Sequence, residues 1–223
     1  MSIADPSTYL ADTIAALKRQ WPENRTVNLV CHGHSVPAGY FATPVVDTFN
    51  AYPHLLHAGL KERFPNAVIN VIVTAIGGEN SQTGAARFAC DVLGHRPDVV
   101  TLDYALNDRR IGLSAAAAAW RAMIEQALAA GGRVILLTPT LDMTCKPGAP
   151  GDGGAGGDEL MAHAQQVRQL AADYGVGLAD STAAFAQYMQ SGLLDDLLSW
   201  PNHPNRRGHA LVVERLLPWF VGG

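Results

Sequence analysis

Charge is scarce in this chain: Asp, Glu, Lys and Arg make up only 16% of its 223 residues, and the formal net charge is −4. No basic cluster occurs, which argues against a nucleic-acid partner. Cysteine is scarcer still. The three present, Cys31, Cys90 and Cys145, are odd in number and show no Cys-x-x-Cys spacing, against both a disulfide framework and a zinc ribbon. No apolar run approaches the ~20 residues of a membrane span. The first twenty residues carry Asp5 and Asp12 and lack a basic stretch leading into an apolar one, so they do not read as a signal peptide. A cytoplasmic protein without stable membrane insertion is the expectation. Also missing is the G-x-S-x-G nucleophile elbow: Gly33-His34-Ser35-Val36-Pro37 ends in proline.

What the chain does have is apolar residues, 48% of the total, enough for a substantial core in one domain spanning 1–223. Short apolar runs alternate with helical patterns. Strands are expected at Thr26–Cys31, Ala67–Thr74, Asp98–Tyr104, Arg133–Thr138 and Val176–Leu178. Helices are expected at Pro6–Gln20, Phe49–Phe64, Ser81–Leu93, from Ala115 to near Gly131, and at Asp158–Tyr174, Thr182–Met189 and Gly208–Phe220. Strands that are apolar throughout, separated by helices, indicate a five-stranded parallel sheet covered on both faces, an α/β/α sandwich with flavodoxin-like layering. Lys146–Gly157, rich in Gly and Pro, reads as a mobile loop beside the site.

Ligands of such sheets bind beyond the C-terminal strand ends. Four stretches fall there or in the last loop: Gly33-His34-Ser35-Val36, Ile76-Gly77-Gly78-Glu79-Asn80-Ser81, Asn107-Asp108 and Asn202-His203-Pro204-Asn205. A serine attacks a carbonyl only if a base takes its proton and donors meet the oxyanion. Ser35 at a strand-to-helix turn offers the hydroxyl, His203 an imidazole of ordinary pKa about 6.5. Gly78, without a Cβ, offers an amide that approaches closely, and Asn107 offers side-chain donors. His32 and His34 form an H-x-H pair to which Asp103 or Asp108 could add a carboxylate; packing around the nucleophile is the preferred reading over a metal site.

In order and context these stretches resemble the four blocks of the SGNH (GDSL) hydrolase superfamily. The resemblance covers nearly the whole chain. It implies a carboxylic ester hydrolase working through an acyl-enzyme, with Ser35 as nucleophile, His203 as base, and the Ser35 amide, Gly78 and Asn107 as oxyanion hole. It implies no cofactor and no metal. The partner is a small-molecule ester, a small or carbohydrate-borne acyl group being favoured, and homo-oligomerisation is left open. Acyl transfer to an alcohol would use the same residues.

Two positions depart from the family pattern. His34 stands where Asp usually precedes the serine, which implies altered local hydrogen bonding. Trp200 stands where the last block, D-x-x-H, places its Asp. Three outcomes remain for His203: a dyad assisted by a backbone carbonyl, a carboxylate from Asp195 or Asp196, or an impaired site that only binds acyl ligands. Tyr40, Phe41 and Trp200 are candidates to line the acyl or leaving-group pocket, with ordinary core packing the alternative for each.

Overall fold

The computed structural model describes residues 2–146 and 155–221. Five parallel strands lie in the order β2-β1-β3-β4-β5: β1 Thr26–Gly33, β2 Val68–Val73, β3 Val99–Asp103, β4 Arg133–Leu137 and β5 Gly177–Ala179. This is the flavodoxin-like order, in which ligands bind where the strand sequence reverses, between β1 and β3.

The strands are apolar on both sides because both faces are covered. Along β1, Val27, Leu29 and Cys31 enter one core while Val30 enters the other. In β4, Ile135 and Leu137 face the first core and Val134 and Leu136 the second, as the two-residue period of a strand requires. The first core is closed by α1 (Ala11–Lys18), α3 (Tyr52–Arg63), α8 (Ser181–Tyr188) and α9 (Arg206–Leu216). The second is closed by α4 (Ser81–Asp91), α6 (Gly112–Ala129) and most of α7 (Ala155–Tyr174), around the fully buried Phe88 and Trp120. Among the described residues no helix is long and apolar enough to cross a membrane.

Three differences from the sequence expectation bear on the site. Single turns, α2 (Ser35–Ala38) and α5 (Ala105–Asp108), follow β1 and β3 directly, too short for any periodicity to register. A small antiparallel pair, β6 (Leu198–Trp200) with β7 (His203–Pro204), carries the last histidine. The Gly/Pro-rich stretch falls mostly at 147–154, outside the described residues, and its end opens α7 at Ala155 rather than Asp158.

Candidate active site

Ser35 opens α2, where β1 stops pairing. Its neighbour His34 caps the turn: the ring Nδ1 accepts the Val36 N–H at 3.2 Å. His203 arrives from the other end of the chain. Asn205 holds it there, capping α9 by accepting the Arg207 and Gly208 N–H groups at 2.9 and 3.1 Å. The Asn205 side-chain amide also donates to the Asp196 carbonyl at 2.9 Å, so the loop before the histidine and the helix after it are tied through one side chain.

The result is a continuous chain of hydrogen bonds. Ser35 Oγ lies 3.0 Å from His203 Nε2, and His203 Nδ1 lies 2.8 Å from the Phe41 carbonyl oxygen. A carbonyl only accepts, so Nδ1 carries the ring proton and Nε2 presents a lone pair to the serine hydroxyl. Of the three alternatives for His203, the structure shows the backbone carbonyl as its Nδ1 partner, and neither Asp195 nor Asp196 is bonded to the ring. Asp195 pairs with Lys146. Asp196 accepts the Leu193 N–H at 3.0 Å and the Tyr188 hydroxyl at 3.2 Å. Trp200 pairs with His203 in the β6–β7 register, but its side chain is 46% exposed and donates to neither ring nitrogen.

Burial pushes the His203 imidazole below its ordinary 6.5; the Phe41 carbonyl pulls it back up, and the His34 ring adds to the lowering. A general base works when neutral, so a lowered pKa extends its working range toward acid. The acidic limb of kcat/KM is expected below pH 6.5. Trp200→Asp, placing a carboxylate at the position paired with His203, is expected to move that limb upward, because a carboxylate stabilises imidazolium better than a carbonyl does. A wild-type limb at or above pH 7 would contradict the assignment.

The candidate oxyanion donors stand on two loops. Asn107 Nδ2 donates to the Glu79 carbonyl at 2.8 Å, joining α5 to the loop that carries Gly77 and Gly78. That loop is held from behind: Arg87 Nε contacts both Glu79 carboxylate oxygens at 3.0 Å. The two glycines do different jobs. Gly78 adopts φ +83° with nothing within 4 Å of a would-be Cβ, so its glycine serves the left-handed backbone rather than close approach. Close approach belongs to Gly77, where a Cβ would sit 2.9 Å from the Tyr40 ring. Tyr40 in turn lies 6.0 Å from the His203 ring, centroid to centroid. It thus touches the glycine loop and faces the base.

The Ser35 and Gly78 N–H groups donate to no acceptor among the described residues, and the second Asn107 amide proton is not taken by its bond to Glu79. Ser35 and His203 are each 6% exposed, and Asn107 7%. Removing one such donor costs about 10²–10³ in kcat at other oxyanion holes. Asn107→Ala is expected to fall in that range with KM little changed; a loss confined to KM would place Asn107 in substrate binding instead.

Asp108 and His32 belong to the scaffold. Asp108 accepts the Ser81 N–H at 2.8 Å and the Trp120 indole at 2.7 Å, and burial raises its pKa. His32 is committed at both nitrogens, to the Thr74 hydroxyl at 2.8 Å and the Gly84 carbonyl at 3.2 Å. No pairing of His32 with His34 as metal ligands results. Sequence reasoning reads Phe41 as a candidate pocket aromatic and misses its backbone carbonyl as the His203 partner; it misses Arg87 altogether, whose eight-residue separation from Glu79 carries no motif.

The GDSL-like lipase/acylhydrolase family model matches residues 31–211. No curated protein matches the chain in sequence. Axe2, an acetylxylan esterase from Geobacillus stearothermophilus, superposes with a TM-score of 0.74 at 20% identity, covering 87% of this chain and 94% of its own. LAE5, an alpha/beta hydrolase enzyme from the metagenome of Lake Arreo, Spain, does so with a TM-score of 0.74 at 22% identity, again over 87% and 94%. A two-domain esterase active on acetylated mannans, CEX, gives 0.72 at 18% identity over 95% of this chain and 52% of that one. At these identities the structural likeness is one of fold.

Proposed function

The chain belongs to the GDSL-like lipase/acylhydrolase family, a family of ester hydrolases, and from that premise we propose that Ser35 and His203 cleave a carboxylic ester through an acyl-enzyme. The observation that carries this reading is the chain of hydrogen bonds from Ser35 Oγ to His203 Nε2 to the Phe41 carbonyl, at 3.0 and 2.8 Å. Ser35 gives its proton to His203 as its oxygen bonds to the ester carbon. The negative charge gathers on the former carbonyl oxygen, met by the Ser35 and Gly78 amides and the Asn107 side chain. His203 then returns the proton to the departing alcohol. Water, deprotonated by the same imidazole, attacks the acyl-enzyme and releases the acid.

The substrate we infer is a short acyl group on a sugar. The near-complete burial of Ser35 and His203 suits an acyl group of few carbons. Trp200, exposed and paired with His203 in the β6–β7 register, offers a flat apolar ring to a sugar. The fold neighbours active on acetylxylan and acetylated mannan fit the same reading.

Hydrolysis of p-nitrophenyl acetate, butyrate and octanoate, and of acetylated xylo-oligosaccharides, is measured for wild type and Ser35→Ala with a chelator present. Expected is turnover falling with acyl length, released acetate from the oligosaccharide, and loss of both in the variant. Turnover that survives Ser35→Ala overturns the nucleophile. A preference for octanoate overturns the substrate class. Acetylated glycerol appearing when glycerol is added would move the reading to acyl transfer.

A further inference from the structure

Ser35 has a second imidazole on its other side. His34 Nδ1 lies 3.4 Å from Ser35 Oγ, and its Nε2 lies 3.4 Å from the Asp103 carboxylate. His34 is 1% exposed and Asp103 4%. Because Nδ1 accepts the Val36 N–H, the ring proton sits on Nε2 and faces Asp103. The contact is not an aligned hydrogen bond, and Nε2 has no hydrogen-bond partner among the described residues, so it is the N–H dipole of the ring that faces the carboxylate. Asp103 ends β3 opposite Gly33 in the β1–β3 register, and its carbonyl accepts the His34 N–H at 3.2 Å. The two residues are thus held together by backbone and side chain alike.

A carboxylate this buried needs a compensating donor or cation. Around it stand the Tyr52 hydroxyl of α3 and the Cys31 thiol of β1. Burial, and after it the charge of Asp103, raise both; Cys31 reaches about 12. They stay neutral near pH 7, so the Tyr52 hydroxyl can serve Asp103 only as a neutral donor, and His34 is the basic side chain that the described residues set beside Asp103. Resting on the assignment of Ser35 as nucleophile, we propose that His34 and Asp103 form one interdependent positioning unit for the serine turn. Its imidazole supplies the capping acceptor that an aspartate would supply at position 34, and its Nε2–H offsets the buried Asp103 carboxylate.

The unit positions; it does not act as a second base. The lone pair of His34 Nδ1 is already engaged by the Val36 amide, and Ser35 Oγ is closer to His203 Nε2, 3.0 against 3.4 Å. The consequence runs against the family pattern. Restoring aspartate at position 34 puts two carboxylates into one buried site and removes the imidazole that offset the first. It should damage the enzyme, and neutralising Asp103 should repair it.

The experiment is a double-mutant cycle of His34→Asp and Asp103→Asn, with His34→Asn and His34→Ala beside it. It is read by kcat and KM on p-nitrophenyl acetate and by the urea unfolding midpoint. Expected for His34→Asp is a kcat lower by about 10- to 100-fold, the scale of a misplaced reacting group, with KM within about twofold and a lower midpoint. Adding Asp103→Asn recovers most of both losses. His34→Asn, which keeps an acceptor at the Nδ1 position, loses less kcat than His34→Ala. Wild-type behaviour in His34→Asp, or effects of the two substitutions that simply add, overturns the proposal. If the wild type turns over no ester, the proposed function fails, while coupling in the unfolding midpoints still decides whether His34 and Asp103 act as one unit.

Discussion

Replacing His203 with alanine is expected to lower kcat for ester hydrolysis by about 10⁴-fold or more, Ser35→Ala by a similar factor, and the double variant no further. Groups that act only through one another are not additive, and in serine hydrolases the loss of either partner costs about as much as the loss of both. Here the dependence is written in the geometry: Nε2 faces Ser35 Oγ at 3.0 Å, and Nδ1 is held by the Phe41 carbonyl. A residual rate above the uncatalysed one should survive, supplied by the oxyanion donors. Losses that multiply in the double variant would show that the two residues serve separate steps.

The same geometry says which substitution should not matter. Were a carboxylate the orienting group, its removal would cost a large factor. With the Phe41 carbonyl in that place there is no side chain to delete. Asp195 is an exposed residue paired with Lys146, and Asp195→Ala is expected to leave kcat within about twofold, since exposed ion pairs contribute little. A hundredfold drop in that variant would restore a carboxylate triad.

How far the residues alone reach is clearest at the two ends of the site. The sheet was legible because Val, Ile and Leu runs at β1 to β4 carry no strict polar alternation, as in strands covered on both faces, although β2, at the sheet edge, keeps Val68 and Asn70 exposed. Ser35, Gly78, Asn107 and His203 could be singled out as candidates because each stands at a strand end or helix start with distinctive neighbours. The carbonyl holding His203 was not, because every residue has one and nothing in the identity of Phe41 marks its direction. The β6–β7 pair and the turns α2 and α5 are two to four residues long, below what periodicity resolves. Asp103 had a visible signal, an acid closing an otherwise uncharged strand. Its meaning depends on the β1–β3 register that sets it beside His34. Gly78 shows the converse: the sequence suggests close approach as the reason for glycine there, whereas its φ of +83°, not contact, requires it.

Stability should fall steeply between about pH 6.5 and pH 4, and two fully buried histidines should be the main cause. His209 is fully buried, accepts the Tyr52 N–H at 3.2 Å and stacks on Phe41; burial drives its pKa down to about 3. His32, also fully buried, is driven by burial to about 4, with Arg87 adding to the shift. In the unfolded chain both protonate near pH 6.5. Between the unfolded and folded values the unfolded chain binds the extra protons, so stability rises with pH. Each histidine adds about 1.4 kcal/mol per pH unit inside its window. Their contribution is whole above pH 6.5 and is lost as pH falls toward 4 for His32 and 3 for His209. The raised carboxyl of Asp108 acts in the opposite sense nearer its own range, while the lowered imidazoles of His57, His163 and His203 add to the same slope. Urea midpoints measured from pH 7 to pH 4 should show the slope. His209→Asn keeps an acceptor for the Tyr52 N–H while removing the titrating ring. It should be less stable than the wild type at pH 7, with a pH slope shallower by about 1.4 kcal/mol per unit. An unchanged slope would shift the acid sensitivity to the carboxylates, and with it the view that His209 is held neutral against the segment that positions His203.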